Sequence, residues 1–517
     1  MTYCIGIDVG GTHVDAVLLD SRGEILAKTK QITTSNVMYA VDKAVEALLV
    51  NQSINRSLIS RAMLGTTHCT NAIVERKGLE AVAHFRLGSP ATLAVSPLTD
   101  MPLEFRNNIE VYWFSVPGGY HYDGQQFAEL DEKILREQLY SIKGVVKAVS
   151  VCGLFSPVID KQERRVESLV KGILGASIPV SLSSQIGTIG LLERENATIL
   201  NAALCNVASS ITDGFEKTLT RHHIKAELYF GQNDGTLMSL SQARLFPILT
   251  IASGPTNSIF GAAKLADLQE AIVVDVGGTT TDVGVLKGGF PRQSCLSAEI
   301  GGVRTNFRMP DITSIGLGGG SIVKIESGNV IKIGPESVGY ELPDKALVFG
   351  GNILTVTDIA VAMGWATIGD INKISHLCPE QVAKIAGCYV SMLEKILEKM
   401  NNTANALPVI LVGGGAEVLP MQLKGASKVI KPQHSGVANA IGVATAQVSG
   451  SVDMIVSTEN KKLDDYLEKA ENMATKEAIK NGAMPDSIRI VELESLPLGY
   501  MSGNTIRIKA KAVGTLK

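Results

Sequence analysis

The chain has 517 residues, 45% of them hydrophobic, and a formal net charge of −3 without a basic stripe, which predicts two to four domains and argues against nucleic-acid binding. Its seven Cys residues are scattered, with no CxxC spacing, which argues against a zinc site or a disulfide framework. No apolar run approaches the roughly 20 residues of a membrane span, and the N-terminus carries no signal region, so we expect a soluble cytoplasmic protein without membrane contact.

The first 190 residues predict strands and helices in alternation. Apolar runs separated by turn residues indicate the strands, and apolar residues at helical spacing indicate the helices. The expected strands are 3–8, 15–20, 24–31 and 145–154, and the expected helices run from Ala72 to Lys77 and from Asp160 to Leu174.

The rest of the chain predicts four further units. Residues 190–223 predict one long connecting helix, interrupted at Gly214, and residues 226–240 predict a hairpin around Asn233-Asp234-Gly235. Ala271 begins a second strand pair, and residues 436–448 predict a helix of small residues. From residue 451 onward we expect an appended unit, with a helix ended by Gly482 and a half-buried strand at 506–512.

One segment occurs twice in the chain. Asp8-Val9-Gly10-Gly11-Thr12 follows the first apolar run, and Asp275-Val276-Gly277-Gly278-Thr279 follows a later one. Each copy lies between two apolar runs, which predicts a hairpin whose glycines let backbone amides approach an anion. Two copies so far apart indicate two similar domains that face a shared nucleotide. The alternative, a tight hairpin without a ligand, is less consistent with two matched copies.

The two repeated aspartates predict a metal site. Asp8 and Asp275 end their strands beside the glycines, and two carboxylates there repel a triphosphate unless a divalent cation such as Mg²⁺ lies between. Their alternative role is to cap the turns. We interpret Asp15 and Asp282 as strand residues that bond loop amides, and His13 either contacts phosphate or packs.

Three other segments predict parts of a ligand site. The apolar strand 409–412 ends in Gly413-Gly414-Gly415, a flat backbone surface on which adenine and ribose can lie. Thr66 and Thr67 begin a helix, where they either attract an anion or cap the helix. Gly318-Gly319-Gly320 offer amides to an anion, and Asp311 either completes a metal or substrate site or caps a loop.

The order hairpin, hairpin, strand with three glycines resembles the actin, Hsp70 and sugar-kinase superfamily. Longer segments resemble the hydantoinase A/oxoprolinase family over nearly the whole chain. These are GTTHCTNAIVERKG from Gly65, SGP from Ser253, the Asp311-Ile312 and Gly318-Gly319-Gly320-Ser321 pair, TVTD from Thr355, and the segment from Leu496 to Gly514.

The resemblance implies an α/β fold with two RNase H-like (actin/Hsp70-type) lobes around a nucleotide cleft and a small C-terminal α/β extension. The expected division is 1–190 for the first lobe, 191–265 for a connecting helix and hairpin, 266–450 for the second lobe with the adenosine loop, and 451–517 for the extension.

The resemblance also implies an ATP-dependent enzyme that opens cyclic amides, such as hydantoins or 5-oxoproline, or carboxylates ketones. ATP with Mg²⁺ phosphorylates the carbonyl oxygen of the substrate, and Asp8, Asp275 and Asp311 are the expected catalytic residues. Members act with a B-type subunit, which we expect as a separate chain. The alternatives are a small-molecule kinase of the same fold and an ATP-driven switch or scaffold protein.

This chain departs from the family pattern at three places. His13 and His68 stand where relatives often have apolar residues. Thr313 follows Asp311-Ile312 where many relatives have a histidine, and Thr256-Asn257-Ser258 follows the SGP segment where small residues are usual. The identity of the substrate depends on loops at residues 85–125 and 326–350, whose geometry the sequence does not give.

Overall fold

The structure is a computed structural model that describes residues 2–33, 36–50, 54–294, 298–307, 309–326, 330–459, 462–499 and 504–517. Cys295 and residues 500–503 of the family-like C-terminal segment therefore lie outside the described residues.

The strands and helices alternate along most of the chain. The strands are β1 (Tyr3–Val9), β2 (His13–Leu19), β3 (Ile25–Ile32), β4 (Ile59–Thr66), β5 (Val82–Ser89), β6 (Val111–Pro117), β7 (Ala148–Gly153), β8 (Val180–Leu182), β9 (Glu227–Gly231), β10 (Leu237–Ser239), β11 (Ala271–Val276), β12 (Thr281–Lys287), β13 (Phe290–Pro291), β14 (Ala298–Ile300), β15 (Val303–Thr305), β16 (Ile312–Ile315), β17 (Ser321–Glu326), β18 (Val330–Ser337), β19 (Val409–Val412), β20 (Val429–Ile430), β21 (Val448–Ser457), β22 (Arg489–Pro497) and β23 (Thr505–Gly514). The helices are α1 (Val37–Leu48), α2 (His68–Glu75), α3 (Leu103–Arg106), α4 (Glu132–Ser141), α5 (Lys161–Ile173), α6 (Leu191–Ala203), α7 (Cys205–Arg221), α8 (Leu240–Leu245), α9 (Ser253–Ala266), α10 (Leu342–Lys345), α11 (Val356–Ala362), α12 (Pro379–Met400), α13 (Ala438–Thr445) and α14 (Leu463–Lys480).

The first sheet is mixed and has the order β22-β23-β21-β10-β9-β4-β1-β2-β3. β1 pairs antiparallel with β2 and parallel with β4, and β4 pairs parallel with β9. Successive residues of β1 point to opposite faces, so Ile5 and Ile7 pack with α1 and α7 while Cys4 packs with α13. The sheet is therefore covered by helices on both faces.

The second sheet repeats the central part of the first. Its order is β13-β12-β11-β19-β20, with β16 paired to β12. β11 pairs antiparallel with β12 and parallel with β19, as β1 pairs with β2 and β4. Each repeated Asp-Val-Gly-Gly-Thr segment thus ends the first strand of an antiparallel hairpin, and the two predicted hairpins are confirmed.

A third sheet, with the parallel order β6-β5-β7-β8, lies between β4 and β9 in the sequence. Its core is closed by α4 and α5, with Leu135, Leu139 and Val166 fully buried. Residues 1–190 therefore contribute to two sheets, with β1 to β4 in the first sheet and β5 to β8 in the third. In the first sheet, β4 pairs directly with the later strand β9. The division of the chain into lobes, with the first at 1–190, stays a prediction.

Helices α9 and α13 cross at very close range between the first and second sheets. A Cβ on Gly261 would lie 1.8 Å from the Ala438 carbonyl oxygen, and one on Gly442 would lie 1.9 Å from that of Asn257. Only glycine fits at these two positions, which explains the small residues predicted for the helix at 436–448. The crossing brings the first turns of both helices toward the two hairpins.

Two expectations are corrected. Residues 190–223 form two helices, α6 and α7, and the break falls at Leu204 and not at Gly214. The predicted appended unit is continuous with the first sheet, since β21 pairs with β10 and β23 pairs with β21 over ten residue pairs. Only after folding does a strand near residue 237 lie beside one near residue 448.

Other local expectations are confirmed. β9 and β10 form the predicted hairpin, and α5 begins after Asp160 as expected. The TVTD segment forms a capping box at the start of α11, in which Thr355 and Asp358 exchange hydrogen bonds with each other's backbone. In the described part of the chain, every helix is too short or too polar to cross a membrane.

Candidate functional site

The two Gly-Gly-Thr turns have the same geometry. The Gly10 N–H donates to the His13 carbonyl oxygen over 2.9 Å, and the Gly277 N–H donates to the Thr280 carbonyl oxygen over 2.9 Å. In both hairpins the aspartate before the turn stands opposite the aspartate after it, Asp8 opposite Asp15 and Asp275 opposite Asp282. Similar sequences therefore give similar turns in two different sheets.

Each leading aspartate, Asp8 and Asp275, packs against a glycine in or directly after the neighbouring parallel strand. A Cβ on Gly65 would lie 2.2 Å from Asp8 Oδ1, and one on Gly413 would lie 2.2 Å from Asp275 Oδ1. Any larger residue at these positions displaces the carboxylate. The glycines of the predicted GTT segment and of the three-glycine loop thus act, first of all, as seats for the two aspartates.

Helix α9 contacts both aspartates through consecutive residues. Asn257 Nδ2 donates to Asp8 Oδ1 over 2.8 Å, and Ser258 Oγ donates to Asp275 Oδ2 over 2.5 Å. From α13, Asn439 Nδ2 donates to Asp8 Oδ2 over 3.0 Å and to an Asp15 oxygen over 2.9 Å. Both carboxylates are therefore oriented by neutral donors on the two crossing helices.

Burial makes the ionised form of both aspartates costly. Burial raises the pKa of Asp8 to about 6, and the charge of Asp15 adds to this while Asn257 and Asn439 oppose it. Burial also raises the pKa of Asp275 to about 6, with further contributions from Asp282, Asp8 and Asp15. Such a cluster of repelling carboxylates favours binding of a cation.

One cavity of about 440 Å³ is bounded by both turns. Its lining includes Gly10 and Thr12 from the first turn, Gly277 and Gly278 from the second, and Asp275. This volume falls within the range of small-molecule sites. The structure thus brings together the segments that the repeat predicted to face one ligand.

Backbone donors remain available at both turns. Among the described residues, no acceptor is found for the backbone N–H groups of Gly11, Thr12, Gly278 or Thr279. A Cβ on Gly11 or Gly278 would meet no atom within 4 Å, so both glycines border open space. Free amides beside open space are what a phosphate group requires.

Another part of the cavity lining consists of glycine backbone and apolar side chains. Gly413, Gly414 and Gly415 all belong to it, and they lie against the second turn because the Gly415 N–H donates to the Val276 carbonyl oxygen over 2.7 Å. The apolar side chains in this part are Tyr340, Leu342, Pro343, Ile368 and Val418.

Charged residues also reach the cavity from β2 and β3. Lys30 lies 2.6 Å from Asp15 in an ion pair, and both residues line the cavity. His13 lines it as well, with Nδ1 3.1 Å from Thr12 Oγ1. Burial and the Lys30 charge lower the pKa of His13, which favours its neutral form.

The aspartates after the turns bond side chains and not the loop amides that we expected. Asp15 pairs with Lys30 and accepts from Asn439, and Asp282 accepts from Ser314.

The amides of the GGGS segment are not available to an anion, contrary to our expectation. The Gly318 N–H donates to Ser321 Oγ over 2.8 Å, the Gly319 N–H to the Gly277 oxygen over 3.0 Å, and the Gly320 N–H to the Gly278 oxygen over 2.8 Å. A Cβ on Gly318 would lie 2.6 Å from the Thr279 nitrogen. This segment therefore supports the second turn from behind, and only Gly319 lines the cavity.

Asp275 lines the cavity, and Asp8 is not part of the lining. Asp311 does not reach the cavity either. Its carboxylate pairs with Arg292 over 2.7 Å, and Arg292 also donates to the Met400 carbonyl oxygen over 3.1 Å. The expected metal or substrate contact of Asp311 stays a prediction, since Asp311 directly precedes β16, which pairs with the side of β12 away from β11. The family histidine position, Thr313, lies on β16 itself and contacts Met400.

Thr66 and Thr67 lie beside Asp8 but outside the cavity lining. Thr67 Oγ1 donates to the Val9 carbonyl oxygen over 3.3 Å, and Thr66 Oγ1 lies 2.6 Å from His68 Nδ1. Thr67 occupies the N-cap position of α2 without a side-chain cap bond. Both threonines thus hold the end of β4 next to the first turn and do not contact the cavity directly.

The donor set fits a hard divalent cation. Asp8 and Asp275 supply carboxylate oxygens, and Mg²⁺ binds through one or two carboxylates together with waters and phosphate oxygens. In the part of the chain that the structure describes, no group of three His, Cys, Asp or Glu side chains is arranged to hold a metal by itself. A cation here therefore depends on the phosphate oxygens of a ligand.

Sequence reasoning missed several residues of this site. The sequence did indicate that Asn257 and Ser258 are unusual, since they replace small residues after the SGP segment. Lys30 gave a weaker indication, as a charged residue in a strand next to the first turn. Asn439 and the apolar wall around Tyr340 gave none, because their place depends on how distant segments pack.

The sequence matches two regions of one protein family. Residues 4–174 match the Hydantoinase/oxoprolinase N-terminal region, and residues 194–367 match Hydantoinase/oxoprolinase. The caprolactamase subunit alpha of Pseudomonas jessenii is 24% identical over 390 residues, which cover 71% of this chain and 55% of the relative. The chain thus spans about half the length of the curated relatives it matches.

Two solved structures have the same fold. The ATP-dependent caprolactamase from Pseudomonas jessenii superimposes with a TM-score of 0.78 at 18% identity, covering 99% of this chain and 88% of that chain. Nucleotide-free acetone carboxylase superimposes with a TM-score of 0.67 at 18% identity, with the same coverage. The mixed α/β arrangement of this chain is therefore that of known proteins.

Proposed function

The chain belongs to the hydantoinase/oxoprolinase family, and we propose that it is an ATP-dependent subunit that phosphorylates the carbonyl oxygen of a cyclic amide or a related carbonyl compound. The cavity between the two hairpins binds ATP with Mg²⁺ in this proposal. The observation that carries it is that both Gly-Gly-Thr turns line one cavity of about 440 Å³, with Thr12 and Gly278 as the lining residues whose amides have no acceptor among the described residues.

The nucleotide has one orientation that fits the lining. The phosphates lie between the turns, where the Gly11, Thr12, Gly278 and Thr279 amides have no protein acceptor among the described residues. The base lies on the three-glycine loop against the apolar side chains near Tyr340. The opposite orientation places a polyanion on apolar side chains and leaves the amides unpaired, which is unfavourable.

Asp8 and Asp275 hold the cation in this proposal, and the cation neutralises charge on the phosphates while it is bound. Asn257, Asn439 and Ser258 fix the carboxylates so that they meet the cation without reorganisation. The neighbouring Asp15 and Asp282 raise the local negative charge. Asp311 pairs with Arg292 outside the cavity lining.

Phosphorylation of the carbonyl oxygen activates the substrate, because an unactivated amide resists attack by water. The carbonyl oxygen attacks the γ-phosphorus of ATP and ADP leaves, which gives an activated imidate phosphate. Water adds to the carbon, the C–N bond of the ring breaks, and the resulting acyl phosphate is hydrolysed to a carboxylate and phosphate. The chain's own contribution is to align ATP and to exclude water until the substrate is bound.

We propose the same overall organisation as in the superfamily, with two RNase H-like lobes centred on the first and second sheets. The matched core of each sheet, a hairpin whose first strand pairs in parallel with a third strand, supports this division. Helices α9 and α13 join the lobes, and closure about them encloses the nucleotide.

A separate partner chain completes the enzyme in this proposal. The relatives include a caprolactamase subunit alpha and an acetone carboxylase beta subunit, which are parts of larger enzymes. We expect a B-type subunit to complete the hydrolytic half of the reaction. Co-purification from the native source should yield a second chain of comparable size, and full activity of the isolated chain would contradict this part.

The function is tested in two steps. Calorimetric titration with Mg²⁺ and a non-hydrolysable ATP analogue should give saturable binding, and no binding at millimolar nucleotide would remove the first step. A screen of hydantoin, 5-oxoproline, lactams and ketones, with and without the partner chain, should then identify a compound that stimulates phosphate release. Free phosphate with a ring-opened acid supports the proposal, whereas a stable phosphorylated product would identify a kinase.

A further inference from the structure

Lys30 connects the first sheet with the glycine loop of the second. It lies in β3, directly opposite Asp15 of β2, and its Nζ is 2.6 Å from Asp15 Oδ1. A Cβ on Gly414 would lie 3.8 Å from Lys30 Nζ, so the ammonium group is next to the three-glycine loop. The side chain therefore spans the cavity between a strand of one sheet and a loop of the other.

Lys30 is the one lysine or arginine among the described residues that line this cavity. Asp15 and Asp275 line the same cavity, and Asp8 stands opposite Asp15 in the first hairpin. A triphosphate adds several more negative charges to this space. Even with one divalent cation the cavity keeps an excess of negative charge, and Lys30 is the side chain in place to reduce it.

Its present partner does not hold Lys30 irreversibly. The Lys30 side chain is 37% exposed and has room to reorient, although the Asp15 side chain is only 7% exposed. Asp15 keeps a second donor when Lys30 leaves, since Asn439 Nδ2 lies 2.9 Å from its other oxygen. After the exchange Asp15 Oδ2 keeps its Asn439 donor, while the buried Asp15 Oδ1 loses its ion-pair partner. The phosphate contact of Lys30 must therefore outweigh that loss.

We propose that Lys30 is a phosphate-binding residue, which exchanges Asp15 for the nucleotide phosphates and thereby ties β3 to the three-glycine loop when ATP is bound. This inference rests on the proposed function, because it needs a nucleotide in the cavity. It predicts that the contribution of Lys30 grows with the number of phosphates and is absent for adenosine.

The chain supplies a matched control on the same strand. Lys28 lies two residues before Lys30, points to the same face of β3, and also reaches the second half of the chain, with Nζ 3.0 Å from His434 Nδ1. Lys28 does not line the cavity. Lys28→Met therefore removes one charge and one cross-sheet contact without touching the proposed phosphate position.

The test is a titration of ATP, ADP, AMP and adenosine into the full chain and into Lys30→Met, Lys30→Arg and Lys28→Met, with circular dichroism to confirm folding. Loss of one charge-assisted phosphate contact should weaken ATP binding by about 10- to 100-fold in Lys30→Met and adenosine binding by less than about twofold. ADP and AMP should lie between, Lys30→Arg should recover most of the loss, and Lys28→Met should match the unchanged chain.

The outcomes separate this inference from the proposed function. If the unchanged chain binds none of the four compounds, the proposed function fails. If it binds ATP but Lys30→Met weakens adenosine as much as ATP, the residue is structural and the inference is overturned. The inference is also overturned if Lys28→Met weakens ATP as strongly as Lys30→Met. Should Lys30→Met fail to fold, the same comparison is made with Lys30→Gln.

Discussion

Asn257 and Ser258 are consecutive residues of α9, yet Asn257 donates to Asp8 of the first sheet and Ser258 donates to Asp275 of the second. Consecutive Cα atoms lie about 3.8 Å apart, so one helix fixes how the two carboxylates stand relative to each other. These are the positions at which the chain departs from the small residues usual after the SGP segment. The departure therefore adds two hydrogen-bond donors to the site.

Asn257→Ala is expected to impair catalysis more than a neighbouring change does. The variant removes a donor to a buried carboxylate, a loss of about 1–3 kcal/mol, and should lower kcat/KM for ATP-dependent phosphate release by at least about tenfold. Thr256→Ala is the control, because Thr256 donates to backbone oxygens of Asn233 and Ala252 and touches neither aspartate. Equal effects of the two variants would show that α9 acts only through its packing.

Asp275→Asn is expected to abolish activity without loss of stability. Phosphate release should fall by at least about 100-fold, since a charge that stabilises the transition state is removed. The raised pKa of Asp275, about 6 against an ordinary 3.8, means that its ionisation destabilises the ligand-free fold as the pH rises from about 4 to about 6. The unfolding temperature at pH 7.5 should therefore be unchanged or higher.

The control for Asp275→Asn is Asp131→Asn. Asp131 caps α4 at an exposed position, where its side chain accepts from the Lys133 and Ile134 amides, and asparagine caps equally well. This variant should keep both activity and unfolding temperature. A marked fall in the unfolding temperature of Asp275→Asn would contradict the electrostatic account of that site.

Gly65→Ala is expected to displace Asp8. The added Cβ would lie 2.2 Å from Asp8 Oδ1 and 2.3 Å from Asn257 Nδ2, so it should cost about 1–3 kcal/mol in the free energy of unfolding and lower nucleotide affinity. Gly172→Ala is the control, because its Cβ would meet no atom within 4 Å in α5 and should stabilise by about 0.5–1 kcal/mol. Chemical denaturation and nucleotide titration measure both effects, and wild-type behaviour of Gly65→Ala would refute the proposed seat.

A buried ion cluster should control acid stability. Glu195 is fully buried, 2.7 Å from both His84 Nε2 and Arg86 Nε. Burial alone would raise the pKa of Glu195, but the charges and hydrogen bonds of His84 and Arg86 outweigh it and hold that pKa at about 2. Because the folded value lies below the ordinary 4.5, this stabilisation is complete above about pH 4.5 and is lost as the pH falls toward 2.

Glu195→Gln is therefore expected to lower the free energy of unfolding at pH 7 by about 3–5 kcal/mol, since Arg86 keeps a buried charge without its partner. Denaturant titrations between pH 7 and pH 2 should show a weaker pH dependence than in the unchanged chain. Glu132→Gln, which breaks the exposed pair with Arg165, should change stability little. An unaltered pH profile in Glu195→Gln would place the acid sensitivity elsewhere.

Sequence patterns were sufficient for the parts of the site that are local. Asp8 with Gly10 and Asp275 with Gly277 form matched turns because strand, glycine pair and strand follow each other directly in the chain. The same holds for the strand that ends at Gly413. The family resemblance was equally accessible, since its segments are long and contiguous.

Patterns misplaced residues whose role depends on what lies opposite. The amides of Gly318 to Gly320 have the composition of an anion site, yet they bond the back of the second turn. Asp311 stands next to a family segment, yet it pairs with Arg292 just before β16. In both cases a residue distant in sequence binds the amides or the carboxylate that we expected to bind a ligand.

The sequence alone determined the two hairpin turns, their aspartates and the glycine loop, because glycine and apolar alternation dictate backbone shape over a few residues. Tertiary structure alone decided that these turns share one cavity, that α9 holds both aspartates, and that Lys30 reaches the opposite loop. Those relations join segments separated by hundreds of residues, and only the packing of two sheets across the glycine crossing of α9 and α13 brings them together.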